Sequence, residues 1–387
     1  TYVAATGTSS DLTAHDLADP KVQAYAKAVE SSVVHYGDTT LTFLSNLQKA
    51  DDQGRGLGYI SAVAVEEKSV WDYNQGNPTG DPATLGTHRK PRIPLVAIYP
   101  KEGTLASDSP YAVLDAPWVG DAQRAVAKDF LTYVRGAGPQ QRFADAAFRG
   151  YDGKPGAKII QSDGLLPAEP KTLLSPPAPP VLAQVQALWA QQRKAARVLL
   201  VIDTSGSMGQ SAGSDTKLEL AKRAALKALD QFSPRDDVAL WSFSTPQQGA
   251  PTPYQQLVPF SPISTGKAAL RKQIGGLVPQ GGTALYATTR AAFRLLSANA
   301  DTSKINAVVL LTDGRNEYPQ DTDLPGLERE LSPEDTSHAV RVFPIGYGAD
   351  ADLPSLRGIA DASRAAAYDA SDPASIDKVF TAVLSNF

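Results

Sequence analysis

The sequence predicts an α/β protein whose C-terminal half is a doubly wound, mostly parallel, Rossmann-like sheet and whose N-terminal half is a less regular α/β domain. Three observations carry this. From Arg197 onward, runs of β-branched and apolar residues alternate with segments of helical period, a pattern that puts helices on both faces of an open parallel sheet. The composition is that of an ordinary globular chain, 42% hydrophobic and 20% charged over 387 residues, which disfavours disorder. The stretch QSDGLLPAEPKTLLSPPAPP at 161–180 holds six prolines and can neither continue a helix nor join a central strand. The expected organisation is therefore an N-terminal domain at 1–160, a Pro-rich linker at 161–182 and a C-terminal domain at 183–387.

After the linker, Val181, Val185, Leu188 and Trp189 recur at helical spacing. RVLLVID, 197–203, reads as a buried strand by its length and residue types. Leu218, Ala221, Ala225, Leu229 and Phe232 mark one face of the next helix, followed by the strand VALWSFS and a helix near Ala268–Ile274. A helix from Ala284 to Leu296, the strands INAVVLLTD and AVRVFPIGYG, and a helix near Ala374–Leu384 complete the half. In the first half the clearest helices are KVQAYAKAVESSVVHYG and DAQRAVAKDFLTYVRGAG, and the expected strands are GYISAVAV and PLVAIYP, separated by polar turns.

Bulk properties exclude several classes. A net charge of −4 offers no basic excess for phosphate backbones or anionic lipid. No apolar run approaches the roughly 18 residues a bilayer span needs. With no cysteine there is no disulfide, thiolate ligand or thiol nucleophile. The four histidines, His15, His35, His88 and His338, have no metal-ligand spacing.

In a parallel α/β sheet, ligands lie beyond the carboxyl ends of the strands. Asp203 ends one strand and Asp313 another, while QGGTALY between them bends before a helix and brings up Thr283. With Ser205 and Ser207 these make five oxygen donors, two carboxylates and three hydroxyls, without imidazole. Such a set suits a hard cation: Mg²⁺ heads the candidates, with Mn²⁺ and Ca²⁺ beside it. Neutral hydroxyls leave the ion electrophilic and open to an outside carboxylate. Any one of these segments alone reads as a helix cap; the three in order read as a metal site.

DTSGS at 203–207, the GGT containing Thr283 and LTDG at 311–314 resemble the metal-ion-dependent adhesion site of von Willebrand factor type A domains, a likeness running from about Ala195 to Phe387. It implies that Ser205, Ser207 and Thr283 touch the metal, with Asp203 and Asp313 binding directly or through water. In the first half, PLVAIYPKEGTLASDSPYAVLDAPWV and the helix after it resemble the closing part of a type II extracytoplasmic solute-binding protein, over about Leu12–Gly153. The strands that open the first lobe are not visible, so a small-solute site here is incomplete. Ser9 and Ser10 read as a helix cap, and Trp71 and Tyr73 as core aromatics.

Other motifs fail. ISTGKAAL has Ser261 and Ala268 where a P-loop needs Gly and Ser or Thr. GRGLGY lacks the last glycine of a dinucleotide turn, and SGSMG lacks the glycine of a nucleophile elbow. The functional expectation is a non-enzymatic module of the cell exterior that binds an acidic residue of a protein partner through a divalent cation, with no nucleic-acid partner and no membrane insertion. A signal or anchor is expected upstream of Thr1. Two alternatives stand beside it: an intracellular scaffold for an ATPase or chelatase-type complex, and a metal-dependent hydrolase, for which Glu317 is the available general base. Glu66, Glu67 and Glu102 read as solvated carboxylates.

Overall fold

A computed structural model describes residues 1–387 apart from 8–10, 35, 38, 108, 247–250, 333–339, 385 and 387. Ser9, Ser10, His35 and His338 thus lie outside the described residues. The chain divides into two compact units, residues 1–29 with 40–191 and residues 30–39 with 192–387.

The first unit is helical. Its main helices are α1 (Pro20–Ser31, whose last residues fall in the second unit), α2 (Thr40–Asp52), α3 (Glu67–Asn74), α4 (Asp121–Val134), α5 (Ala137–Asp145) and α6 (Pro179–Gln192). The expected strands GYISAVAV and PLVAIYP do not form; among its described residues the unit contains no strand, and an isolated bridge joins Thr104 to Leu173. Their alternating apolar residues favour extended backbone, but a strand exists only when a neighbour takes up its amides and carbonyls. The N-terminal α/β expectation is corrected to an α-helical unit with extended connections.

The Pro-rich stretch 161–182 also departs from the expected linker. It lies within the first unit, where Leu165 is fully buried, Ala97 N donates to Gly164 O at 2.9 Å and Leu174 N donates to Thr104 O at 2.8 Å. Its buried leucine outweighs the stiffness of its prolines. Trp71 and Tyr73 are buried in two separate clusters, as core residues. Glu67 is engaged by Arg149, at 2.7 and 2.8 Å, and Glu66 accepts from Ser107 Oγ at 2.8 Å.

The second unit is built on β1 (Ala195–Asp203), β2 (Asp237–Phe243), β3 (Tyr254–Pro262), β4 (Lys304–Thr312), β5 (Val340–Tyr347) and β6 (Tyr368–Ala370). They form one six-stranded sheet in the order β3-β2-β1-β4-β5-β6, parallel except for the β2–β3 pair. The helices are α7 (Lys217–Ala228), α8 (Ile263–Gly275), α9 (Leu285–Ala298), α10 (Leu324–Leu331), α11 (Leu353–Ala362) and α12 (Ile376–Leu384). The period of two in β1 sorts its side chains between two cores. Val198, Leu200 and Ile202 pack with α7, α8 and α12, whereas Leu199 and Val201 pack with α9, α10 and α11. β1 is buried along almost its whole length, as a central parallel strand must be.

Residues 30–39 strap this unit at the end of the sheet where β1 and β5 begin. Tyr36 N donates to Asn386 O at 3.3 Å, Lys194 N donates to Tyr36 Oη at 3.3 Å, and Arg341 Nη1 donates to Val34 O at 2.6 Å. The opposite end, where β1 and β4 finish, carries the candidate site.

Candidate metal centre

The order β3-β2-β1-β4-β5-β6 reverses direction at β1, so the crevice at its carboxyl end is the position where open α/β sheets bind ligands. Three loops are stitched together there by their backbones. Gly206 N donates to Gly281 O at 2.8 Å, Gln280 N to Thr204 O at 2.6 Å, and Glu317 N to Thr283 O at 2.7 Å. Thr204 anchors the first loop to β2, with its N and Oγ1 donating to Phe243 O at 2.9 and 3.0 Å.

These stitches bring the five expected residues together. Ser205 Oγ lies 3.0 Å from Ser207 Oγ, and Ser207 Oγ donates to Asp313 Oδ1 at 2.7 Å. Asp203 is fully buried; its Oδ1 accepts from Ser205 N at 2.7 Å and its Oδ2 from Thr312 Oγ1 at 2.5 Å. Thr283 reaches the same point, because a Cβ added to Gly314, next to Asp313, would stand 2.7 Å from Thr283 Oγ1. That approach explains the glycine of LTDG. Gly281, with φ +69°, supplies the left-handed turn that delivers Thr283 to the start of α9.

Burial dominates the electrostatics. It pushes the Asp203 carboxyl up to about 7, the neighbouring Asp313 adding to the rise, while hydrogen bonds from Thr312 and Ser205 oppose it. Two carboxylates with no solvent exposure feel each other's charge here, a costly arrangement unless positive charge is near. Lys217, at the start of α7, supplies one such charge: its Nζ donates to Asp313 Oδ2 at 2.8 Å and to Gln210 Oε1 at 3.0 Å.

The donor set fits a hard divalent ion. It consists of oxygen alone, from two carboxylates and three hydroxyls, and among the described residues no three His, Cys, Asp or Glu side chains gather into a competing soft or all-acid site. Glu317 Oε2 accepts the Thr283 amide at 3.1 Å. His88 is held in the first unit, its Nε2 3.0 Å from Asp52 Oδ2.

Reasoning from sequence missed Lys217 and Thr312. The signal for Lys217 was its position: a cation in the first turn of a helix, where the backbone dipole favours acids, needs a specific partner. Thr312 gave no such signal, because a threonine at the end of a buried strand is ordinary.

Comparison with known proteins gives a family match in this half of the chain. Residues 198–316 match the family model described as von Willebrand factor type A domain. Inter-alpha-trypsin inhibitor heavy chain H4 is 31% identical over 169 residues in Homo sapiens and 30% over 168 residues in Bos taurus, in each case 42% of this chain and 17% of the relative. The chain thus matches about a sixth of the length of these curated relatives. A solved structure, von Willebrand factor type A from Catenulispora acidiphila, is 26% identical and covers 49% of this chain and 42% of its own, with a TM-score of 0.40. On the family match, and with the parallel sheet and the three loops already described, residues 198–316 are a von Willebrand factor type A domain.

Proposed function

We propose that the second unit is a divalent-cation-dependent protein-binding module. In this reading Asp203, Ser205, Ser207, Thr283 and Asp313 hold Mg²⁺, or Mn²⁺ or Ca²⁺ in its place, and a carboxylate of a protein partner completes the coordination. The observation that carries it is the meeting of Ser205 with Ser207 at 3.0 Å and of Ser207 with Asp313 at 2.7 Å, beside the buried Asp203. The bound ion would supply Lewis acidity toward an incoming oxygen. The protein's own part is positional: Thr312 and the Ser205 amide orient Asp203, and Glu317 fixes the loop that presents Thr283.

The reading is of binding rather than catalysis. The side chains at the site act as ligands or orient ligands, and the nearby Glu317 holds the Thr283 amide. The location proposed is the cell exterior, where a module that grips a protein partner through a divalent cation would meet it. No described helix is long and apolar enough to cross a membrane.

Calorimetry of the full chain with Mg²⁺ and Mn²⁺ tests the site: the wild type should bind one ion, and Asp203→Ala and Thr283→Ala should bind it at least about tenfold more weakly, each having lost a ligand. Equal affinity in the variants overturns the assignment. Capture from a cell-surface extract with and without EDTA tests the function, and capture that ignores EDTA counts against it.

A further inference from the structure

We propose that Lys217 is a resident counter-ion of this site, one that weakens cation binding and leaves the loaded centre with a net positive charge that selects a single carboxylate. The inference rests on the metal-site reading above and adds to it a residue outside the ligand set.

Lys217 is placed where local rules disfavour it. It is the first residue of α7, directly after the N-cap Thr216, so its charge lies against the positive end of the helix dipole. Its side chain is only 8% exposed, and its partner Asp313 is not exposed at all. Gly348 leaves it room: a Cβ there would stand 3.2 Å from Lys217 Cε and 3.5 Å from Nζ. A buried lysine persists only when it is paired and hydrogen-bonded. Here Asp313 Oδ2 at 2.8 Å and Gln210 Oε1 at 3.0 Å meet that need, while Asp350, 77% exposed, stands farther off at 3.7 Å.

The two oxygens of Asp313 are therefore divided. Oδ2 accepts from Lys217, and Oδ1 accepts from Ser207 of the donor set. A cation held by the donor set would share this carboxylate with the ammonium. Across one carboxylate, even bulk-water screening leaves the repulsion between a unit charge and a divalent ion worth about tenfold in affinity. The buried charges then sum simply. Asp203 and Asp313 cancel a divalent ion, and Lys217 leaves one positive charge over, which one incoming carboxylate neutralises. Glu317 and Asp350 are exposed and screened by solvent, so they enter this sum weakly.

The test compares the full-length wild type with Lys217→Met and Lys217→Gln. The first removes the charge while keeping most of the volume, and the second retains an amide donor for Asp313, so folding is protected in at least one; near-UV circular dichroism confirms it. Calorimetry with Mn²⁺ should show both folded variants binding at least about tenfold more tightly than wild type. Melting in EDTA should show them less stable than wild type, with a larger gain on adding Mn²⁺. In the Mn²⁺-loaded proteins, acetate uptake followed by water-proton relaxation should be weaker in the variants. A folded Lys217→Gln that binds Mn²⁺ no more tightly than wild type overturns the inference, and equal acetate uptake removes its selectivity. Wild type that binds no Mn²⁺, behaving like Asp203→Ala, would instead reject the metal-site reading itself.

Discussion

Gly314→Ala is the substitution that best separates the geometry of the centre from its chemistry. It adds one methyl group, changes no charge and removes no ligand. Gly314 does not occupy the left-handed region, so alanine fits its backbone and the effect is steric. The new Cβ would stand 2.7 Å from Thr283 Oγ1 and 3.5 Å from Thr283 Cβ. Ordinary contact begins near 3.4 Å, so the hydroxyl must give way by about 0.7 Å. Thr283 cannot retreat as a unit, because Glu317 holds both its amide, at 3.1 Å, and its carbonyl, at 2.7 Å. Its β-branched side chain has few rotamers to choose from. The hydroxyl therefore swings away from the donor set or the loop shifts with it. The expected stability cost is about 1–3 kcal/mol, as for other overpacked sites, and Mn²⁺ affinity should fall by about tenfold or more, the equivalent of about 1.4 kcal/mol. Urea unfolding in EDTA reads the first quantity and calorimetry the second. In a Thr283→Ala background the same substitution should cost little further affinity, because the two changes act on one oxygen. Wild-type affinity in folded Gly314→Ala, or full additivity with Thr283→Ala, would refute the placement of Thr283 in the donor set.

Other outcomes test the frame around the site. Asp236 is buried and accepts from Ala196 N, Ser233 N and Arg193 Nη2 at 2.8, 2.7 and 2.9 Å; Asp236→Ala should destabilise the second unit by about 3–5 kcal/mol in urea melts, since it removes a buried carboxylate that accepts from a guanidinium and two amides. Tyr36→Phe removes the hydroxyl that donates to Glu30 Oε2 at 2.8 Å and accepts from Lys194 N at 3.3 Å; it should cost about 1–2 kcal/mol and speed amide exchange at Lys194, and unchanged exchange would deny the strap a role in holding this end of the sheet. Leu270→Ala, a fully buried side chain on α8, should cost about 2–5 kcal/mol while leaving Mn²⁺ affinity near wild type, which separates loss of core packing from loss of the site.

Much of the second unit was legible in advance. RVLLVID could only be a buried strand, and the observed β1 starts two residues earlier and ends at the same Asp203. The helices at 217–228, 263–275 and 285–298 follow their apolar periods. β3 was not legible, because YQQLVPFSP mixes glutamines and prolines into an edge strand in which Val258 alone is buried. Its Pro259 lies in a register shift, where Val258 pairs with Leu240 and Ser261 with Val238, a place where a missing amide is tolerated. In the first unit the reading failed for a different reason. The alternation in PLVAIYP reports a preference for extended backbone, whereas pairing depends on what lies alongside.

The chemistry of the centre was written in the chain, since residue type fixes donor softness and the strand-ending positions of Asp203 and Asp313 follow from hydrophobic runs. Tertiary structure alone decided the rest: that Ser207 meets Asp313 across 106 residues, that Lys217 turns inward to the same carboxylate, and that residues 30–39 close the far end of a sheet beginning at 195. Local preference acts over a few residues, through backbone sterics and side-chain period. The balance of buried charge acts over a few ångströms, between atoms that only the folded chain brings together.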